Sequence, residues 1–203
     1  MAVEVVLASG NTGKLRELGD ILGSVGMVLR PQSEWAFAEA IEDGATFVEN
    51  ALKKARHAAE HTGLPAMADD SGLVVPALDG APGIYSARYA GPDASDEENN
   101  AKLLRQLSDC HGCERRAYFH CAMVLVRHAR DPVPLMASAS WWGEVTAAAS
   151  GSGGFGYDPL FWVPDLGCTS AELAPEVKNR VSHRGQATRA LLDLLRDASL
   201  AGD

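Results

Sequence analysis

The sequence predicts an α/β fold built on a mixed β-sheet, and two observations carry that expectation. Short apolar runs of strand length alternate with helical repeats through the first half of the chain. Two long β-rich runs, Ala117 to Val126 and Leu135 to Val145, then follow one another directly, as a large hairpin would. No apolar segment approaches the roughly 20 residues needed to cross a bilayer. The chain has 203 residues, enough for one domain with a substantial core or for two closely packed lobes. No repeat, low-complexity tract or linker divides it, so residues 1–203 are read as a single domain. It carries 18 Lys and Arg against 27 Asp and Glu, a formal net charge of −9. A surface of that sign repels nucleic acid and anionic membranes, so the expected partner is a small molecule met by a local basic cluster. The start, Met1-Ala2-Val3-Glu4, lacks the basic residues of a signal peptide, and a cytoplasmic location is expected.

Val3 to Ala8 reads as the first strand. Ser9-Gly10-Asn11-Thr12-Gly13-Lys14 is a Gly-rich turn, and Leu15, Leu18, Ile21 and Leu22 fall at helical spacing after it. Backbone N–H groups in such a turn make an anion site with Lys14 supplying charge, and a simple glycine turn with a solvated Lys is the other reading. It is not a Walker A loop: Ala8 stands where the first Gly belongs and Leu15 where the Mg²⁺-binding hydroxyl belongs. A metal at this loop would need ligands from elsewhere in the chain.

Met27 to Leu29 is a second strand, and Pro31 to Asp43 carries no clear pattern. Thr46 and Glu49 have the spacing of a capping box, and the alanine-rich run to about His61 is a strong helix. Asn50, Lys54 and His57 share one face of it, a pattern that usually marks a solvated face. Glu42 and Asp43 precede the cap, where they favour the helix N-terminus or reach a metal.

Ala68-Asp69-Asp70-Ser71-Gly72 follows, with apolar runs on both sides. Adjacent carboxylates at the end of a buried strand repel each other unless a metal or a shared proton offsets the cost. Asp, Ser and Gly are also good turn residues, so a turn and a site both remain open for this stretch. Asp79 to Tyr89 is a Gly/Pro-rich ordered loop. Ser95 and Glu98 form a second capping-box spacing, with Leu103, Leu104 and Leu107 as the buried stripe of the helix. Asp96, Glu97 and Glu98 suit the first turn electrostatically and need no functional explanation.

Gly151 to Pro159 packs glycines around Phe155, Tyr157 and Asp158, which argues for close backbone approach to something flat or anionic. In the last segment Ser182 is an N-cap candidate for a helix burying Ala187, Ala190, Leu191, Leu194 and Leu195. His183 and Arg184 then occupy the first turn, where the helix dipole disfavours a cation; an anionic or carbonyl-bearing ligand explains that Arg better. Of the four cysteines, Cys110 and Cys113 form a Cys-x-x-Cys pair that Cys121 and Cys168 do not complete as a zinc site, so incidental thiols in a surface loop are the reading.

Taken together, six segments in order resemble the inosine triphosphate pyrophosphatase family: Ser9 to Lys14, Thr46 to Ala51, Ala68 to Leu73, Gly80 to Tyr89, Gly153 to Pro159 and Ser182 to Gly185. The resemblance implies an elongated mixed sheet flanked by helices, two lobes with a central cleft, and a homodimer. It implies Mg²⁺-dependent hydrolysis of non-standard purine nucleoside triphosphates (ITP, dITP, XTP) to monophosphate and pyrophosphate. By the same resemblance Asp70 is the catalytic proton acceptor, with Asp70, Glu42 and Asp69 on the metal side. Ser9, Gly10, Asn11, Thr12, Gly13, Lys14, Lys54, Ser71, Phe155, Gly156, Tyr157, Asp158, Lys178, His183 and Arg184 are the implied substrate residues. A non-catalytic nucleotide-binding regulator and a pyrimidine nucleotide pyrophosphatase are the rival readings; product release and substrate comparison separate them.

Overall fold

The structure, a computed structural model, describes residues 3–10, 18–19 and 27–197. Among these the strands are β1 (Val3–Leu7), β2 (Met27–Pro31), β3 (Ala66–Val74), β4 (Arg116–Val126), β5 (Leu135–Val145), β6 (Phe161–Val163) and β7 (Cys168–Thr169). The helices used below are α1 (Phe47–Thr62), α2 (Asp96–Gln106), α3 (Pro175–Val181) and α4 (His183–Asp197). The strands form one sheet in the order β2-β1-β3-β4-β5-β6-β7. β1 pairs in parallel with β2, from Val3 opposite Met27 to Leu7 opposite Pro31, and with β3 at Val6 opposite Ala66. β6 is antiparallel to both β5 and β7. The sheet is therefore mixed, as the order of apolar runs predicts, and the two β-rich runs are neighbours in it. The helix expected over Leu15, Ile21 and Leu22 lies outside the described residues apart from Leu18, which is buried.

The chain divides into two compact units, one comprising Met1–Asp70, Cys121–Ala139 and Arg184–Asp203, the other Ser71–His120 and Ser140–His183. In the first unit, residue parity along the strands assigns the two faces of the sheet. Val5, Leu7, Met67, Cys121, Met123 and Leu125 pack with Ala187, Leu191, Leu192 and Leu195 of α4. Val6, Ala8, Ala66, Ala68, Val124 and Val126 pack with Ala51, Ala55, Ala58 and Ala59 of α1. Alternate residues of a strand point to opposite faces, so β1, β3 and β4 each feed two cores. The alanine stripe lets α1 sit close to the sheet. Thr46 caps its start by accepting from Glu49 N, and Gly63, at φ +71°, closes its end by donating to Ala59 O. The buried stripe of α4 differs from the expected one: Ala190 and Leu194 are exposed, while 187, 191 and 195, four residues apart, follow the face that the sheet covers.

Residues 127–134, which join β4 to β5, turn around the buried Asp131. Its carboxylate accepts from Arg127 N at 2.9 Å, Arg127 Nε at 2.8 Å and Val133 N at 2.9 Å. The connection between the two β-rich runs is thus organised by one Asp acting as a surrogate backbone acceptor.

In the second unit, Leu73, Val75, Leu103, Leu107, Phe119, Trp141, Tyr157 and Phe161 make the core. α2 starts on a complete capping box, Glu98 N donating to Ser95 Oγ and Ser95 N to Glu98 Oε2. Leu103 and Leu107 are buried and Leu104 partly so. Cys110 lies beyond the end of α2, in keeping with the loop reading of the Cys-x-x-Cys pair. Gly72 is required by close approach: a Cβ there would overlap Gly83 O and Ser86 Oγ. Gly72→Ala should therefore destabilise the protein by about 1–3 kcal/mol through overpacking, read as a lower urea midpoint.

Candidate active site

β3 runs without interruption from Ala66 to Val74, so Asp69 and Asp70 lie in mid-strand. This corrects both the turn reading and the placement at a strand end. Parity then separates them. Asp69 follows Met67 onto the α4 face, and Asp70 follows Ala66 and Ala68 onto the α1 face. The pleat turns the two carboxylates to opposite faces of the strand.

Each carboxylate has a different nearest cation, and the charge of Lys54 is felt by both. Asp69, fully buried, pairs with Arg184 of α4, whose Nε lies 3.4 Å from Asp69 Oδ2. Arg184 is 2% exposed. Its position in the first turn, anomalous beside a helix dipole, is accounted for by a carboxylate of the protein itself rather than by a ligand alone. Asp70 meets α1: Asn50 Nδ2 donates to Asp70 Oδ2 at 3.1 Å, and Lys54 Nζ lies 3.7 Å from Asp70 Oδ1. Asn50 is fully buried and its Oδ1 accepts from Gly44 N at 2.8 Å, which draws the segment before the helix over Asp70. On the face of α1 shared by Asn50, Lys54 and His57, expected to be solvated, Asn50 is buried and Lys54 and His57 are partly buried. The spacing was right and the environment wrong, because periodicity shows which residues share a face and not what covers it.

Lys54 also reaches Glu42, with Nζ to Oε1 at 3.3 Å. Asp43, by contrast, pairs with Lys53, whose side chain is half-exposed. Burial is the largest influence on Lys54 and pulls its pKa down, but Asp69, Asp70 and Glu42 together outweigh it, and the pKa lies above the ordinary lysine value. Among the described residues no group of three or more His, Cys, Asp or Glu side chains is arranged to hold a metal ion. Glu42 and Asp70 nevertheless converge on one point of positive charge, and both offer the hard oxygens that suit Mg²⁺. The donor chemistry fits a divalent cation at Glu42 and Asp70; Asp69 turns Oδ2 toward Arg184 while its charge also acts on Lys54.

The second unit carries the glycine-rich loop. Asp158 is 3% exposed and organises it: Oδ2 accepts from Phe155 N at 2.8 Å and from Lys178 Nζ at 2.7 Å, and Oδ1 accepts from Ser170 Oγ at 2.7 Å. Lys178 Nζ lies 5.1 Å from the centre of the Phe155 ring. Tyr157 is buried and its hydroxyl donates to Ser86 O at 2.8 Å. Burial pushes that phenol above its ordinary range, so it stays protonated and a donor. The glycines are explained by approach to the protein's own groups. Gly153 N donates to Ala171 O, a Cβ at Gly153 would press on that carbonyl, and one at Gly154 would overlap the Asp158 carboxylate. His183, 5% exposed, lies parallel to Phe119 with ring centres 4.8 Å apart.

Of the first loop, Ser9 is half-buried with its N–H donated to Leu7 O, and Gly10 is exposed. Asn11, Thr12, Gly13 and Lys14 lie outside the described residues. The unit boundary falls between Asp70 and Ser71 and again between His183 and Arg184, so two of the sequence motifs each contribute to both units. Sequence reasoning missed Asn50 as the partner of Asp70, Ser170 as the partner of Asp158, and Asp96 and Asn100, which hold Gly156. Asn50 and Asn100 had a readable signal: Asn is a poor helix former, and each sits within a helix.

These features define an α/β protein with buried carboxylates set against cations on one strand, and with a pinned glycine loop carrying an aromatic. The chain belongs to the Ham1 family, whose sequence profile matches residues 5–194. A protein of Pectobacterium atrosepticum named dITP/XTP pyrophosphatase is 59% identical over 195 residues, 96% of this chain and 99% of that one. The structure of a HAM1 protein from Coxiella burnetii aligns with a TM-score of 0.90 at 47% identity, covering 96% of this chain and 99% of that one. The Staphylococcus aureus Ham1 protein aligns with a TM-score of 0.84 at 40% identity, over 96% and 99%.

The charge cluster yields a stability prediction. Lys54→Met should destabilise the fold by about 3 kcal/mol at pH 7, since it leaves buried carboxylates without their counter-cation. A lysine whose pKa is raised on folding stabilises fully below its unfolded value and loses that contribution as pH climbs through the folded one. Urea midpoints of wild type and variant should therefore differ by a constant amount from pH 7 to about pH 10 and converge only above it.

Proposed function

We propose that this chain hydrolyses non-standard purine nucleoside triphosphates, ITP, dITP and XTP, to the monophosphate and pyrophosphate with Mg²⁺. The observation that carries the reading is the relative named dITP/XTP pyrophosphatase, 59% identical along nearly the whole of both chains. The reading includes a single catalytic domain, a homodimer and a cytoplasmic location, as the motif resemblance implies and the use of free nucleotides supports.

In the proposed reaction water attacks the α-phosphorus, a new P–O bond forms, the α–β anhydride bond breaks and pyrophosphate leaves. Asp70 takes the proton from the water. Asn50 holds one carboxylate oxygen of Asp70 by donating to it, and Lys54 sets positive charge near the other. Glu42 and Asp70 would hold the Mg²⁺, which when bound lowers the pKa of water and offsets phosphoryl charge. Lys14 and the loop from Ser9 to Gly13 serve the triphosphate, with Ser71 beside it. Lys178 adds positive charge and is kept in place by Asp158.

Selectivity rests on the purine 6-position, where inosine and xanthosine carry an oxygen and adenosine an amino group. His183 and Arg184 donate to that oxygen, and Phe155 stacks on the base. Arg184 meets Asp69 through Nε, and a guanidinium has five N–H groups, so the ion pair orients the side chain without exhausting it. Adenine would set its own donor against these groups, a mismatch able to discriminate by roughly 10⁴.

Pyrophosphate release from ITP, XTP, dITP, GTP, ATP and dUTP tests the reading. Turnover should favour the first three, and equal efficiency with ATP and ITP, or a preference for dUTP, would defeat it. Asp70→Asn should lower kcat by about 10²–10⁴ while the protein stays folded. Near-wild-type turnover by that variant would remove Asp70 as the proton acceptor.

A further inference from the structure

We propose that Asp96 and Asn100 of α2 are positioning residues that fix the Phe155–Gly156 segment for base recognition, an assignment that rests on the reading of Phe155 as the stacking residue. All four backbone polar groups of the segment are engaged by the protein. Phe155 N donates to Asp158 Oδ2 at 2.8 Å, and Phe155 O accepts from Asp158 N at 3.3 Å. Gly156 N donates to Asp96 Oδ2 at 2.6 Å, and Gly156 O accepts from Asn100 Nδ2 at 3.0 Å. The two N–H groups committed in this way are not offered to a purine, and the segment's apolar recognition surface is the Phe155 ring. The direction of that ring is set by the backbone that carries it.

Asp96 and Asn100 are suited to this work because they stand one helical turn apart and project from the same face of α2. They bracket a single residue from both sides, and Gly156 at φ +62° adopts a backbone conformation that favours glycine. The helix is itself anchored by the Ser95–Glu98 capping box and by burial of Leu103 and Leu107. The clamp therefore hangs on a rigid element rather than on another loop.

A purely structural role makes a different forecast. Asp96 favours the helix N-terminus electrostatically, but Glu97 shares that first turn and makes the same contribution. Asn100 is a poorer helix former than Ala, so Asn100→Ala should leave α2 as stable or more so while breaking the clamp.

The experiment compares full-length wild type, Asp96→Ala, Asp96→Asn, Asn100→Ala and Glu97→Ala by steady-state kinetics with ITP and GTP and by amide hydrogen exchange over 150–158 without ligand. Asp96→Ala and Asn100→Ala should each raise KM for ITP about tenfold with kcat within about twofold, as expected when a binding segment loses its preorganisation. Both should also narrow the ITP-to-GTP preference and speed exchange at Gly156. Asp96→Asn, which keeps an acceptor oxygen, should recover most of the loss, and Glu97→Ala should change none of these. Unchanged KM and preference in both alanine variants, or an equal change in Glu97→Ala, would overturn the assignment. Failure of the wild type to turn over ITP would instead defeat the proposed activity and the base-recognition role with it, whereas amide exchange reports on the clamp irrespective of activity.

Discussion

Two consecutive residues of a strand face opposite sides of the sheet, and this constraint governs how the protein tolerates Asp69 and Asp70 side by side. Each carboxylate is carried into a different core, and each is met there by a cation from the helix that covers that face, Arg184 from α4 and Lys54 from α1. Remove the pleat and the two charges would compete for one environment. With it, a single strand serves two separate electrostatic tasks.

The asymmetry between the two pairs has a chemical consequence. Asp69 and Arg184 are both almost fully buried, an arrangement in which the partner of a charge matters more than the charge itself. Asp70, Lys54 and Glu42 form a more open set, in which one ammonium serves two carboxylates and an amide donor fixes the orientation of Asp70. Asp69 holds an arginine on the α4 face of the sheet, and Asp70 faces a lysine and an amide donor on the α1 face.

The glycine loop obeys a similar economy of placement. Its glycines permit Gly153 to meet Ala171 and Gly154 to pass beside Asp158, so the loop is pinned against its own unit instead of waiting for a ligand to order it. Ser170, Asp158 and Lys178 form a chain of contacts in which a buried carboxylate satisfies a hydroxyl, a backbone amide and an ammonium together. The entropy of ordering the loop is thus met on folding.

Much of this was legible in the amino-acid sequence. The alternation of apolar runs determined a mixed α/β sheet, the Thr46 and Ser95 caps determined where two helices begin, and the order of six motifs determined the family. Those signals are local, and spacing within a few residues carries them. What the tertiary structure decided was the environment of each group: that Asp69 and Asp70 part company, that Arg184 answers a carboxylate of its own chain, that Asn50 is buried on a face expected to be solvated, and that Asp96 holds a glycine 60 residues away in the chain. The physical reason is that periodicity specifies which side chains share a face. Which partner that face meets depends on the packing of elements distant in sequence, and burial and charge pairing exist only once those elements have come together.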